Sequence, residues 1–333
     1  MKVQTKAIAL MSGGLDSTLA AKVVRDQGVE VVGLHLVSPF GCREEVKKSA
    51  DAIGIRLLFK EKGAAYLDLV ENPRFGYGKN LNPCIDCRIF MFQLADVVRQ
   101  EEKADFIVTG EVLGQRPMSQ QRHSMELIDR NSPTTGIILR PLSAQCFPPT
   151  IPEEKGWVNR DELFKISGRG RRPQMELAET LGLKDYSAPG GGCLLTETAF
   201  SSRLKDFFDH PTHQDETERL TQSEMLRLGR HFRLHPNLKV IIGRNQEENM
   251  ALEKLWPKSG GTFLSPFNFD GPVAVSFGEA SQVDFEQIGK IIARYGKSQS
   301  LAEKKIQLKC GSENTNFHVL EPVTDAYLES VRL

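Results

Sequence analysis

Read from its first residues, the chain alternates apolar runs with segments of helical period. Residues 7–11 form an apolar run suited to a buried strand, which stops at Ser12-Gly13-Gly14; Asp16 then opens an amphipathic segment over 17–24. Residues 29–37 are a near-continuous, β-branched run, 43–53 have helical spacing, 55–59 read as a strand, 64–70 as a short helix, and 106–109 as another buried strand. Strands without period-two alternation are covered on both faces. The order therefore predicts an α/β domain, a parallel sheet with helices on both sides. Ligands of such sheets sit beyond the carboxyl ends of the strands, where residues 12–16, 35–38 and 109–114 fall. Helices are predicted over 173–181 and 200–210, and the polar stretch 212–218 is the candidate linker. After it, strands at 238–242, 273–277 and 304–309 and helices at 246–255 and 283–295 predict a smaller α+β domain. The expected domains are residues 1–210 and 219–333.

Composition narrows the class. The 333 residues are 40% hydrophobic and 26% charged, ordinary for a globular protein of two or three domains. No apolar run approaches the ~18 residues of a membrane span, and no apolar stretch at the start reads as a signal peptide, so a cytoplasmic location without a membrane partner is expected. Lys plus Arg and Asp plus Glu each number 43, so a nucleic-acid face has to be a local patch. Between residues 155 and 172, Lys155, Arg160, Lys165, Arg169, Arg171 and Arg172 outnumber Asp161 and Glu162; the segment reads as a phosphate-tracking patch or as a solvated loop. Six cysteines in a chain this long do not make a disulfide framework, so their spacing reads as metal or redox chemistry.

The glycine turn after the first strand lets backbone amides approach an anion, Ser12 and Ser17 add hydroxyls, and the helix start adds its dipole. This is a phosphate loop without the Gly-Lys-Ser/Thr ending of the Walker type. Cys84 and Cys87 form a Cys-x-x-Cys at a helix start, where the dipole favours thiolate. Cys193 follows Pro189 and three glycines in a loop that could approach them. Three such thiols suit an iron-sulfur cluster held by three irons, or three legs of a zinc site. Cys42, Cys146 and Cys310 read as inert thiols, His35 as a packed residue, and His210, His213, His231 and His235 as surface residues. The loop after Thr109-Gly110-Glu111 reads either as closing the sheet or as a contact to ATP or RNA.

SGGLDS after a first strand resembles the PP-loop of the ATP pyrophosphatases, which adenylate a substrate and release pyrophosphate. With NPCIDC, TGEVLGQRPMSQ, LRPLSA and PGGGCLL, roughly the first 200 residues are similar to the tRNA thiouridine synthases of that superfamily. The cysteine spacing resembles the 2-thiouridine synthases, and TGEVLGQ followed by Ser-Gln the 4-thiouridine synthases. The resemblance implies an ATP-dependent tRNA sulfurtransferase that adenylates a uridine carbonyl and replaces its oxygen with sulfur. Ser12, Gly13, Gly14, Asp16 and Ser17 would bind the ATP phosphates, Asp16 also Mg2+, and Thr109 and Gly110 would frame the nucleotide. Cys87 and Cys193 match the two catalytic cysteines of the 2-thiouridine synthases, while Cys84 stands where persulfide-using members carry an aspartate. Cys84, Cys87 and Cys193 together match the iron-sulfur thiolases, so a 4Fe-4S cluster is favoured over a persulfide and disulfide cycle, with inorganic sulfide or a cysteine desulfurase as sulfur donor. The loop opens the sequence without an N-terminal RNA-binding domain, and no rhodanese domain is recognisable. HFRLHPNLKVIIGRNQEEN resembles the RNA-binding module of the NFACT proteins, which would grip tRNA; a structural or homodimer-forming appendage is the other expectation. Two alternatives stand beside the main one. One is a PP-loop enzyme amidating or ligating a small molecule, with structural zinc; the other is a non-catalytic RNA binder.

Overall fold

A computed structural model describes residues 4–40, 45–183, 193–297, 304–311, 313–319 and 321–333. It divides into two compact units, residues 1–193 and residues 194–333. In the first, β1 (Lys6–Leu10) leads to α1 (Leu15–Asp26), β2 (Glu30–Val37), α2 (Glu45–Ala52), β3 (Arg56–Glu61) and α3 (Gly63–Glu71). Then come α4 (Cys84–Glu101), β4 (Phe106–Thr109), α5 (Arg122–Arg130), β5 (Ile138–Leu139), the one-turn α6 (Ile151–Glu154) and α7 (Arg172–Thr180).

The strands pair in parallel in the order β3-β2-β1-β4-β5. Alternate residues of β1 feed two cores: Ala7 and Ala9 pack with Leu19, Val23 and Phe106 on one face, Ile8 and Leu10 with Ile89, Phe92 and Ile107 on the other. Two buried faces explain why the strand sequences run apolar without alternation. The strand order reverses between β1 and β4, so the loops after these two strands flank the crevice where ligands of such sheets bind. The α/β expectation holds here. Helix α5 and the two-residue β5 were not foreseen; a two-residue strand carries no periodicity to read.

The second unit contains α8 (Thr198–Asp209), α9 (Glu216–Met225), β6 (Arg230–His235), β7 (Leu238–Ile242), α10 (Gln246–Leu255), β8 (Thr262–Pro266) and β9 (Ala274–Gly278). It closes with α11 (Gln282–Tyr295), β10 (Lys304–Cys310), β11 (Glu313–Val319) and α12 (Asp325–Val331). The strands pair antiparallel in the order β11-β10-β8-β9-β7-β6. On β7, Val240 and Ile242 face Ile288, Ile291 and Ile292 of α11, and Ile241 faces Met225 and Leu252.

Two sequence expectations are corrected in this unit. The polar stretch 212–218 is not a linker: the division falls at 193/194, and α8 belongs to the second unit. Its polarity serves the start of α9, where Asp215 accepts from the Glu218 amide at 2.8 Å and Glu218 accepts from the Gln214 amide at 2.7 Å. His231 is not on the surface but 2% exposed, its Nε2 2.8 Å from the Leu228 carbonyl oxygen, and burial holds its pKa well below the ordinary histidine value. No described helix is long and apolar enough to cross a membrane.

Candidate active site

The turn after β1 is closed by its own hydroxyls. Ser17 Oγ donates to the Gly14 carbonyl at 2.9 Å and accepts from the Ser12 amide at 3.2 Å, with Ser12 Oγ 3.1 Å away. Gly13 has φ +76° and a Cβ there would lie 3.0 Å from the Val46 amide nitrogen, so only glycine fits. Gly14 is the N-cap of α1 and offers no side-chain cap, which leaves the first amides of the helix to an anion. Asp16 accepts from Gln115 Nε2 at 2.9 Å and stands 3.9 Å from Arg171, while its Oδ1 is buried without a hydrogen-bond partner.

The turn after β4 lies against this one. Thr109 pairs with Leu10 in register, and a Cβ on Gly110 would come within 2.5 Å of the Asp16 carbonyl and the Ser17 amide. Gly110 thus lets the two turns touch. Glu111, 1% exposed, anchors the other side of this turn: it pairs with Arg88 at 3.2 Å and with Arg140 at 3.0 Å, and Arg140 also holds Asp129. For Glu111 the sheet-closing reading applies.

Both thiols of the Cys-x-x-Cys stand in the first turn of α4. Pro83 precedes the helix as its N-cap, and Asp86 between the thiols accepts from the Arg74 and Phe75 amides at 3.0 and 3.1 Å, fixing the approach loop. Cys84 Sγ accepts from Asn82 Nδ2 at 2.9 Å; burial and the neighbouring Cys87 raise its pKa. Cys87 Sγ lies 3.3 Å from the Tyr66 hydroxyl and 3.8 Å from Lys62 Nζ, which also sits 4.1 Å above the Tyr66 ring. Burial first, then Cys87, Cys193 and Cys84, push the Tyr66 pKa well up, so its proton stays on. Cys193 and Cys84 also act together on Arg116, together with Asp16. Cys193 is half-buried; Pro189 and the three glycines before it, like Cys42, lie outside the described residues. Among the described residues no three His, Cys, Asp or Glu side chains converge to hold a single metal ion.

Sequence reasoning missed Lys62, Tyr66, Arg88 and Arg116 as individuals. Lys62 is the N-cap of α3 and Tyr66 stands in its first turn, a helix whose pattern signals packing, not chemistry; Arg116 sits in the loop already marked as a candidate contact. Of the basic stretch, Arg160 is engaged locally with Glu153 and the Phe147 carbonyl, whereas Arg171 lines an open cleft of about 780 Å3 with Arg172, Met175 and Glu176. Cys146 is half-buried, its sulfur 3.9 Å from the Ile166 carbonyl, and Cys310 is exposed.

Residues 2–145 match the family model of the thiamine biosynthesis protein ThiI. That match covers less than half of the chain. Residues 229–331 match the NFACT protein RNA binding domain. A probable tRNA sulfurtransferase of Methanothermobacter thermautotrophicus is 28% identical over 198 residues, covering 57% of this chain and 44% of its own length. A tRNA-specific 2-thiouridylase of Rippkaea orientalis is 28% identical over 244 residues, covering 69% of this chain and 66% of its own. A 4-thiouridine synthetase solved with RNA and bound ATP is 21% identical, covers 54% of this chain and 52% of that one, and superposes with a TM-score of 0.34. The chain spans less than half the length of the sulfurtransferase relatives.

Proposed function

We propose that the protein is an ATP-dependent tRNA sulfurtransferase that adenylates a uridine carbonyl and exchanges its oxygen for sulfur. The observation that supports this reading is the presence of two sites in one unit: a glycine turn closed by Ser12 and Ser17 at the β1/β4 crevice, and a Cys-x-x-Cys in the first turn of α4. A uridine carbonyl oxygen is a poor leaving group, so it is first made a phosphate ester; the amides of residues 13–17 and the Ser12 and Ser17 hydroxyls stabilise charge on the phosphates as pyrophosphate leaves. Asp16 fits a magnesium ion, because its Oδ1 is buried and unpartnered and a carboxylate suits a hard cation. Sulfur then attacks the activated carbon and AMP departs with the oxygen. Thr109 and Gly110 hold the second wall of the nucleotide site against α1.

Cys84, Cys87 and Cys193 would hold a 4Fe-4S cluster by three of its irons, since three thiols are the donor set such a group takes. When bound, that group supplies an open iron for the transferable sulfur. A second reading has its own observation, since Lys62 Nζ and the Tyr66 hydroxyl both approach Cys87 Sγ. In that reading Cys193 carries a persulfide, and Cys87 attacks it to form a disulfide as sulfur is released. tRNA is the expected substrate. In support, the second unit matches an RNA-binding family, and exposed Phe267 lies beside Lys305 on its sheet.

Anaerobically purified protein given tRNA, ATP, Mg2+ and sulfide is expected to release pyrophosphate and yield a thiolated nucleoside by mass spectrometry. Iron and acid-labile sulfide, counted on the wild type and on Cys84→Ala, Cys87→Ala and Cys193→Ala, separate cluster from persulfide. No pyrophosphate release with any tRNA would remove the sulfurtransferase reading.

A further inference from the structure

The loop between β4 and α5 carries a cation that neither the phosphate turn nor the thiol helix accounts for. Gln115 binds the Asp16 carboxylate at 2.9 Å, which fixes one end of the loop at the phosphate turn. Met118 reaches the other way: a Cβ on Gly78 would meet its side chain at 3.3 Å. Gly78 in turn donates to the Asn82 carbonyl at 2.9 Å, and the Asn82 amide group donates to Cys84 Sγ at 2.9 Å. Arg116 stands between these two anchorages, with its backbone carbonyl held by Gln121 Nε2 at 3.2 Å. The residue is exposed, open to a ligand, yet its guanidinium is crowded enough that burial and Arg88 lower its pKa. Cys193, Cys84 and Asp16 act the opposite way, and no salt bridge to a carboxylate occupies the group among the described residues.

A cation on a loop tied by Gln115 to the phosphate turn and packed by Met118 toward the approach to the thiol helix matches one particular phosphate. Pyrophosphate leaves in the first step, whereas the α-phosphate is attacked in that step and departs with the base oxygen in the second, so it alone faces both sites. We propose that Arg116 binds the α-phosphate of the nucleotide, and that it offsets charge there both as pyrophosphate leaves and as AMP leaves. This assignment rests on the ATP-dependent reading above and deepens it. In the first step the uridine oxygen bonds to the α-phosphorus as the bond to pyrophosphate breaks; in the second, sulfur bonds to carbon as the carbon–oxygen bond breaks and AMP takes the oxygen. Arg116 takes no proton in either.

Full-length Arg116→Gln and Arg116→Lys are compared with wild type by calorimetric binding of AMP and of inorganic pyrophosphate, each with Mg2+. A charge-assisted hydrogen bond lost to a neutral side chain weakens binding by roughly tenfold or more. The expected result is such a loss for AMP in Arg116→Gln, little change for pyrophosphate, and partial recovery in Arg116→Lys. Equal losses for both ligands, or none for AMP, would overturn the assignment while leaving tRNA thiolation by the wild type intact. Failure of the wild type to bind either ligand would remove the ATP-dependent reading and this assignment with it.

Discussion

Gly110 and Gly14 both border the β1/β4 crevice, but the neighbours a side chain would meet separate their roles. At Gly110 a Cβ would strike backbone, the Asp16 carbonyl and the Ser17 amide, at 2.5 Å; at Gly14 it would lie 3.5 Å from Ser12 Oγ alone. Backbone cannot swing aside as a side chain does, so Gly110→Ala forces β4 and α1 apart. We expect Gly110→Ala to lower stability by about 1–3 kcal/mol, the usual cost of overpacking. Nucleotide affinity should fall with it, and thermal unfolding with and without ATP checks both. Gly14→Ala, whose backbone φ of −91° is open to any residue, should cost less, on the order of 0.5–1 kcal/mol for a poorer N-cap. The motif marks both glycines; only the packing of one strand exit on one helix start tells them apart.

At the scale of elements, the exit of β4 is tied to α4, α5 and the segment after β5 through Glu111. Arg140 is 7% exposed and its pKa is raised by Glu111 and Asp129 against the cost of burial, so its charge persists. Glu111→Gln would leave two buried or half-buried guanidinium groups short of an anion. We expect a loss of about 3–5 kcal/mol, as for other broken buried pairs, measured by urea unfolding. Asp129→Asn should cost less, because Asp129 is 30% exposed and Arg140 keeps Glu111. Nothing in the string TGEVLGQ distinguishes this structural carboxylate from a catalytic one. Its partners come from positions 88 and 140, which only the fold brings together.

For the molecule as a whole, the two units have separate cores and separate electrostatics. In the second, Asp206 binds Arg233 at 2.7 Å and Lys239 at 2.8 Å, and burial pushes the Lys239 pKa down to about 8 despite that attraction. The folded state then gives up this proton before the unfolded chain, whose lysines titrate near 10.5. Stability therefore rises with pH between about 8 and 10.5, by at most ~1.4 kcal/mol per pH unit from this group. Lys239→Met should flatten that part of the curve relative to wild type, read by urea unfolding at several pH values; an unchanged slope would refute the assignment. Local pattern by itself determined the strand and helix segments of the first unit, the glycine turn after β1 and the helix start under Cys84 and Cys87, because each depends on neighbours within a few residues along the chain. Tertiary structure alone decided that Gln115 reaches the Asp16 carboxylate, that Glu111 meets Arg88 and Arg140, and that His231 is buried. Those outcomes depend on contacts between distant segments, to which hydrophobic periodicity is blind.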